Sequence, residues 1–246
     1  MKKLSLVLAV LLVAASLFAA GTVKVGGAFE LFTGKTQDLR NGEQTLANTK
    51  LSYKGNGFGF DISGKYDVKG DFAAWADFSM VFCSDAKYKE QVTSKWSSID
   101  ELYKIYQDIA KEFDGKASKA VNSLSLAAGT AVKLTIQAPF DVYVGAGVFF
   151  ERALAKVSMT LPTSSSTPGE TGVSLKEINA GVTLYADAAF RISEKIGIGL
   201  SLMPRIGFFN STTFTTSDQS VKADYKSSGF AMSFSLPVVV GVSYSF

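Results

Sequence analysis

Beyond residue 20 the chain alternates. Apolar side chains recur at every second position over long stretches, which is the period of a β-strand and not of a helix. The C-terminus shows it best. Phe230, Met232, Phe234, Leu236, Val238, Val240, Val242, Tyr244 and Phe246 share one face, and Ala231, Ser233, Ser235, Pro237, Val239, Gly241, Ser243 and Ser245 share the other. The same reading predicts seven earlier strands, over residues 22–33, 50–66, 72–83, 120–137, 139–155, 174–190 and 195–209. The connectors between them alternate in length. Three are short (Asp67–Asp71, around Pro139, and Arg191–Lys195), and four are long (34–49, 84–119, 156–173 and 210–228). Short turns on one side, long loops on the other and both termini on the short side describe an up-and-down barrel with an even number of strands. Ten strands result instead if loop 156–173 or 210–228 hides a further hairpin.

One long loop breaks the period. In 84–119, Ser98 with Glu101 three residues on has the form of a capping box. Ile99, Leu102, Tyr106, Ile109 and Phe113 then recur at helical spacing, and Gly115 follows as a stop signal. The segments 161–172 and 210–220 are rich in Ser, Thr and Gly and read as polar, mobile loops.

Alternation alone does not separate a membrane barrel from a soluble one, whose apolar face points inward. The polar face decides. On a soluble barrel it would be the wet exterior, about 25–35% charged; over 230–246 it carries no charge at all. Over 195–209 it reads Lys195, Gly197, Gly199, Ser201, Met203, Arg205, Gly207 and Phe209, mostly small residues suited to a narrow lumen. The apolar face ends in aromatics on both sides. Tyr66, Phe72, Phe140, Phe190 and Tyr244 lie toward the turns, and Phe82, Phe150, Phe208 and Phe230 toward the loops, as membrane girdles require. The expected fold is therefore all-β: an eight-stranded antiparallel up-and-down transmembrane β-barrel with a short helix in its second long loop.

Composition narrows the chemistry. The 246 residues include no histidine and a single cysteine, Cys83, so His-based triads, His-ligated zinc or haem and internal disulfides are excluded. No metal or cofactor is expected. Lys2 and Lys3, the apolar run Leu4–Phe18 and the small residues Ala19, Ala20 and Gly21 read as a secretory signal over 1–20, leaving a barrel domain over 21–246. Losing those two lysines takes the basic residues from 25 to 23 against 22 acids, a near-neutral balance that offers nothing to a nucleic acid. Gly34-Lys35-Thr36 lacks the earlier glycine of a phosphate loop, since Phe29 occupies that position.

These features resemble the small outer-membrane barrels of diderm bacteria, of the OmpA-domain, OmpX and OmpW types. Terminal Phe246, with Tyr244, Val242 and Val240 at alternate positions, resembles the signal by which the outer-membrane assembly machinery recognises its clients. The resemblance implies residence in the cell outer membrane after Sec-type export, with outer-membrane lipids, periplasmic chaperones and the assembly machinery as partners. The OmpW-type likeness implies a narrow channel for small solutes. The alternative is a non-conducting barrel that displays surface loops to ligands or acts as a structural envelope element. An enzyme is not expected: the resemblance implies that outer-membrane barrel enzymes place a histidine in their active sites, and this chain has none.

By parity, Glu30, Asp61, Trp75, Asp77, Lys133, Glu151, Asp187 and Arg205 point into the lumen. A first turn centred on Lys69 places Asp61 directly opposite Asp77. Two facing carboxylates repel, so one holds a proton or both meet a cation, for which Lys133 is the nearest candidate. The set fits a charged gate narrowed by Trp75. It fits better a structural ion-pair network that plugs the bore.

Overall fold

The computed structural model describes residues 21–35, 40–41, 44–45, 52–85, 95–112, 116–134, 138–161, 169–218 and 221–246. The leader reading of 1–20 lies outside them, as do Phe113 and Gly115 of the helix pattern. Among the described residues, eight strands form the ring: β1 (Thr22–Lys35), β2 (Ser52–Lys69), β3 (Phe72–Asp85), β4 (Lys116–Leu134), β5 (Phe140–Leu161), β6 (Gly169–Arg191), β7 in two segments (Ile196–Leu202 and Arg205–Asp218) and β8 (Val221–Ser245). Each pairs antiparallel with its sequence neighbour, and β1 pairs with β8 from Thr22↔Ser245 to Gly34↔Ser233, which closes the barrel. One helix, α1 (Lys95–Glu112), stands in the second long connection.

The register fixes the bore. A path across the ladders from Val23 runs through Gly64, Ala76, Ala128, Val148, Val182, Ile206 and Phe234 and returns to β1 at Thr33, ten residues from its start. That stagger over eight strands tilts them by about 40°, and the interior is one that side chains can fill. The exterior is an apolar belt: Phe60, Leu126, Val144, Leu184, Leu200 and Val242 are all exposed between the two aromatic bands. A soluble monomer does not display apolar surface on that scale. The belt is the lipid face, as the sequence pattern predicts.

Four local features depart from the sequence reading. The β2–β3 turn carries an irregularity between Asp67 and Lys69, with Gly70 at φ +62°. Asp61 therefore opposes Ser79 and Asp77 opposes Ser63, so the two aspartates are diagonal neighbours. Strand β7 is interrupted at Met203-Pro204, where proline has no N–H to give the ladder. A bulge between Gly207 and Phe209 then flips its parity. Phe208 and Phe209 both face outward, and Asn210 and Thr212 turn inward and are buried. The connections 156–173 and 210–228 are mostly paired strand: Lys156↔Ser174 continues to Leu161↔Gly169, and Asn210↔Gly229 to Asp218↔Val221. These hairpins extend ring strands beyond the membrane and add no wall strand, so the ring stays at eight. Residues 162–168 and 219–220, at their tips, fall outside the described set.

The helix begins at Lys95, so Ser98 lies within its first turn and the capping-box reading of its start is wrong. It packs against β2, β4 and β5. Ala110 is buried, as are Ala153, Ala155, Val157 and Met159 on the inward face of the β5 extension. The helix thus packs on the wall formed by β2, β4 and β5.

Candidate functional site

The inward face of a narrow barrel cannot be left polar and empty, because dry polar groups need partners. Here the partners are arranged in layers. Toward the short-turn end, Asp187 of β6 is the hub. Lys24 from β1 and Lys65 from β2 both bond its carboxylate, and the Ser201 hydroxyl of β7 donates to it as well. The Lys65 ammonium also sits 4.0 Å from the centre of the Tyr143 ring, a cation–π contact. The adjoining cavity, lined by Ser63, Lys65, Tyr185 and Ser243, has room for about one water.

Deeper in the barrel the hub is a cation. Arg205 of β7 is fully buried. Its Nη2 lies 3.1 Å from Asp77 Oδ1, its Nη1 donates to Ser125 Oγ at 2.8 Å, and Glu30 Oε1 lies 3.7 Å from Nη1. The Phe149 ring centre is 5.8 Å from the guanidinium carbon. Asp61 is wholly buried beside Asp77, and neither of its carboxylate oxygens meets a donor.

Aromatic side chains fill the space around these hubs. Trp75 of β3 stacks on Tyr185 of β6, with centroids 4.4 Å apart and planes within 10°. Trp75 fits because β5 has glycine at 147: a Cβ there would stand 2.8 Å from Trp75 Cζ2. Met203, Tyr143 and Phe149 complete the packing. Toward the loops a polar chain runs on: Asn179 donates to Glu177 at 2.9 Å, Asn210 to Asn179 at 2.8 Å, and Thr212 to Asn210 at 2.8 Å.

The structure brings together Asp61, Asp77 and Arg205, with Trp75 packed in the same core and Asp187 in the adjacent layer. Glu151 faces inward and is buried nearer the loops. Lys133 is elsewhere. It pairs with Asp141 at 2.9 Å on the short-turn rim, where Arg191 Nε meets the same carboxylate at 2.8 Å. The cation beside Asp77 is Arg205, not Lys133, because the guanidinium reaches across the lumen from the opposite wall. Lys24, Lys65, Tyr143 and Tyr185 were not among the sequence candidates. Their parity was legible: Lys24 lies between outward Val23 and Val25, and Lys65 precedes outward Tyr66.

A closed ring, a lipid-facing belt and a filled lumen define a transmembrane β-barrel of the outer-membrane type. A major outer membrane protein from Thermus thermophilus shares the fold, with a TM-score of 0.50 at 15% identity over 89% of this chain and 99% of that one. Neisserial surface protein A aligns over 91% of this chain and 97% of its own, at 11% identity and a TM-score of 0.41. The outer membrane protease OmpT from Escherichia coli aligns over 92% and 97%, at 10% identity and 0.43. No protein-family model matches the sequence, and no curated protein does. At these identities the likeness is one of fold.

Proposed function

We propose that this protein is a non-conducting outer-membrane barrel whose working parts are its loop-side hairpins and helix. One observation carries the reading: two successive lumen layers are closed by buried side chains, Asp187 with its two lysines and Arg205 with its carboxylates, with Trp75 and Tyr185 stacked in the core they share. An ion crossing this barrel would have to part both layers. The long β5–β6 and β7–β8 hairpins, stiffened by strand pairing, are then presented beyond the membrane. The narrow-conduit reading keeps one support, the unpartnered Asp61 carboxylate deep in the bore. In that reading Asp61, Trp75, Asp77, Glu151, Asp187 and Arg205 form the gate and Lys133 guards the rim.

Planar-bilayer recording of the refolded chain separates the two. We expect silence from the protein and from a variant lacking residues 97–115, in samples shown by circular dichroism to be folded β-structure. Discrete, reproducible conductance steps from the intact chain overturn the proposal. We further propose export through the 1–20 leader and an assembly signal in Val240, Val242, Tyr244 and Phe246. Deleting Phe246 then lowers the amount of folded barrel in outer-membrane fractions severalfold while secretion continues; an unchanged amount refutes the signal.

A further inference from the structure

The outer wall gains charge just beyond the loop-side aromatics. There β5, β6 and β8 carry Arg152, Lys156, Lys176 and Lys226 at exposed positions. Strand register sets them in an arc. Lys176 pairs with Thr213 of β7, and Thr213 pairs with Lys226. Arg152 opposes Ile178, two residues from Lys176. With strands about 4.8 Å apart, Lys176 and Lys226 stand about 10 Å from each other along the wall. Arg152 is a diagonal neighbour of Lys176, at about 7 Å.

Height matters as much as spacing. Phe150, Ala180, Phe209 and Phe230 form one register row, the last apolar one before the cations. Arg152 is two residues beyond that row, and Lys176 and Lys226 are four. At about 3.3 Å per residue and a tilt of about 40°, the cations rise about 5–10 Å above the aromatics. The headgroup layer of a bilayer occupies that zone. Among the described side chains, no Asp or Glu shares this outward surface, because Glu151 and Glu177 at the same level point inward and are buried. Toward the loop ends of β1 to β4, the described outward residues Leu31, Thr33, Asn56, Phe82 and Asn122 are neutral.

We propose that the arc formed by Arg152, Lys176 and Lys226 binds phosphate-bearing lipid headgroups of the leaflet on the loop side. A lipid satisfies both parts of the surface. Its phosphates meet the cations while its acyl chains lie on the exposed Phe150, Phe208 and Phe230 below. Free phosphate satisfies only the cations. The arc's span suits a headgroup with two phosphates, and the long side chains reach them while their stems stay on the wall.

The test refolds the whole protein into phosphatidylcholine nanodiscs containing a minority of bis-phosphorylated lipid A and measures retained lipid by native mass spectrometry. We expect enrichment of lipid A over phosphatidylcholine. It should fall about tenfold or more in the R152Q/K176Q/K226Q variant and stay unchanged in K104Q/K111Q, which neutralises exposed cations on α1. Added salt should weaken the enrichment in the unaltered protein, and inorganic phosphate should not compete at matched ionic strength. The proposal fails if the triple variant retains lipid A normally or the helix variant loses it equally. It fails too if free phosphate displaces the lipid. Should the triple variant not fold, salt-insensitive retention by the unaltered protein overturns the proposal on its own.

Discussion

The two lumen layers are built on opposite plans. In one, a single carboxylate, Asp187, serves two ammoniums; in the other, a single guanidinium, Arg205, serves Asp77 and Glu30, with Asp61 beside them. The first layer has an excess of positive charge and the second an excess of negative. Neither would be stable alone in a dry bore, since an unbalanced buried charge is costly. Stacked, each supplies the field that the other lacks. A barrel too narrow for a water column can therefore hold a polar lumen, provided that adjacent layers err in opposite directions. Each layer has a hub that meets several opposite charges and spokes that meet one.

The difference between hub and spoke can be broken experimentally. Arg205→Met and Asp187→Asn remove the hubs and strand like charges together. Each should cost about 3–5 kcal/mol in urea unfolding of the refolded barrel, and a loss below that of the spoke variant contradicts the hub reading. Lys65→Met removes one spoke. Asp187 keeps Lys24 and Ser201, so the loss should be about 1–2 kcal/mol by the same assay. Asp61→Asn should reverse the sign. It replaces a buried carboxyl whose oxygens meet no donor with an amide that can donate to Asp77, raising stability by about 1 kcal/mol. Destabilisation there would mean that the Asp61 carboxyl has a partner after all.

Much of this was legible in the sequence because membrane barrels punish parity errors. A strand with lipid on one side and a packed lumen on the other must alternate, so the belt and the inward positions of Asp61, Asp77, Asp187 and Arg205 followed from counting by twos. What failed was whatever changes the count. The irregularity at Asp67–Lys69 shifted the Asp61–Asp77 pairing by two residues, and nothing in the alternation of residues 58–66 and 72–82 records it. The bulge at Gly207–Phe209 was masked because consecutive phenylalanines fit either phase. The β7–β8 extension was missed for a different reason. Beyond the membrane Phe214 is the sole apolar side chain of Asn210–Asp218, so a paired strand there has no apolar beat to read. Arg205 was seen to point inward, yet its partners were not, since they come from walls that sequence distance does not relate.

The β1–β8 closure has a consequence in time. The hydrogen bond between Thr22 and Ser245 joins residues 223 positions apart. Contacts of such separation form late, after a large loop entropy has been overcome. Until the last strand is in place the other seven are an open sheet, with β1 and β7 exposing unpaired edges ready to recruit a neighbour's strand. A chain released before residue 233 is thus no smaller barrel but an aggregation template. Protection is required for the whole interval between the first strand and the last, and it ends only when β8 finds β1.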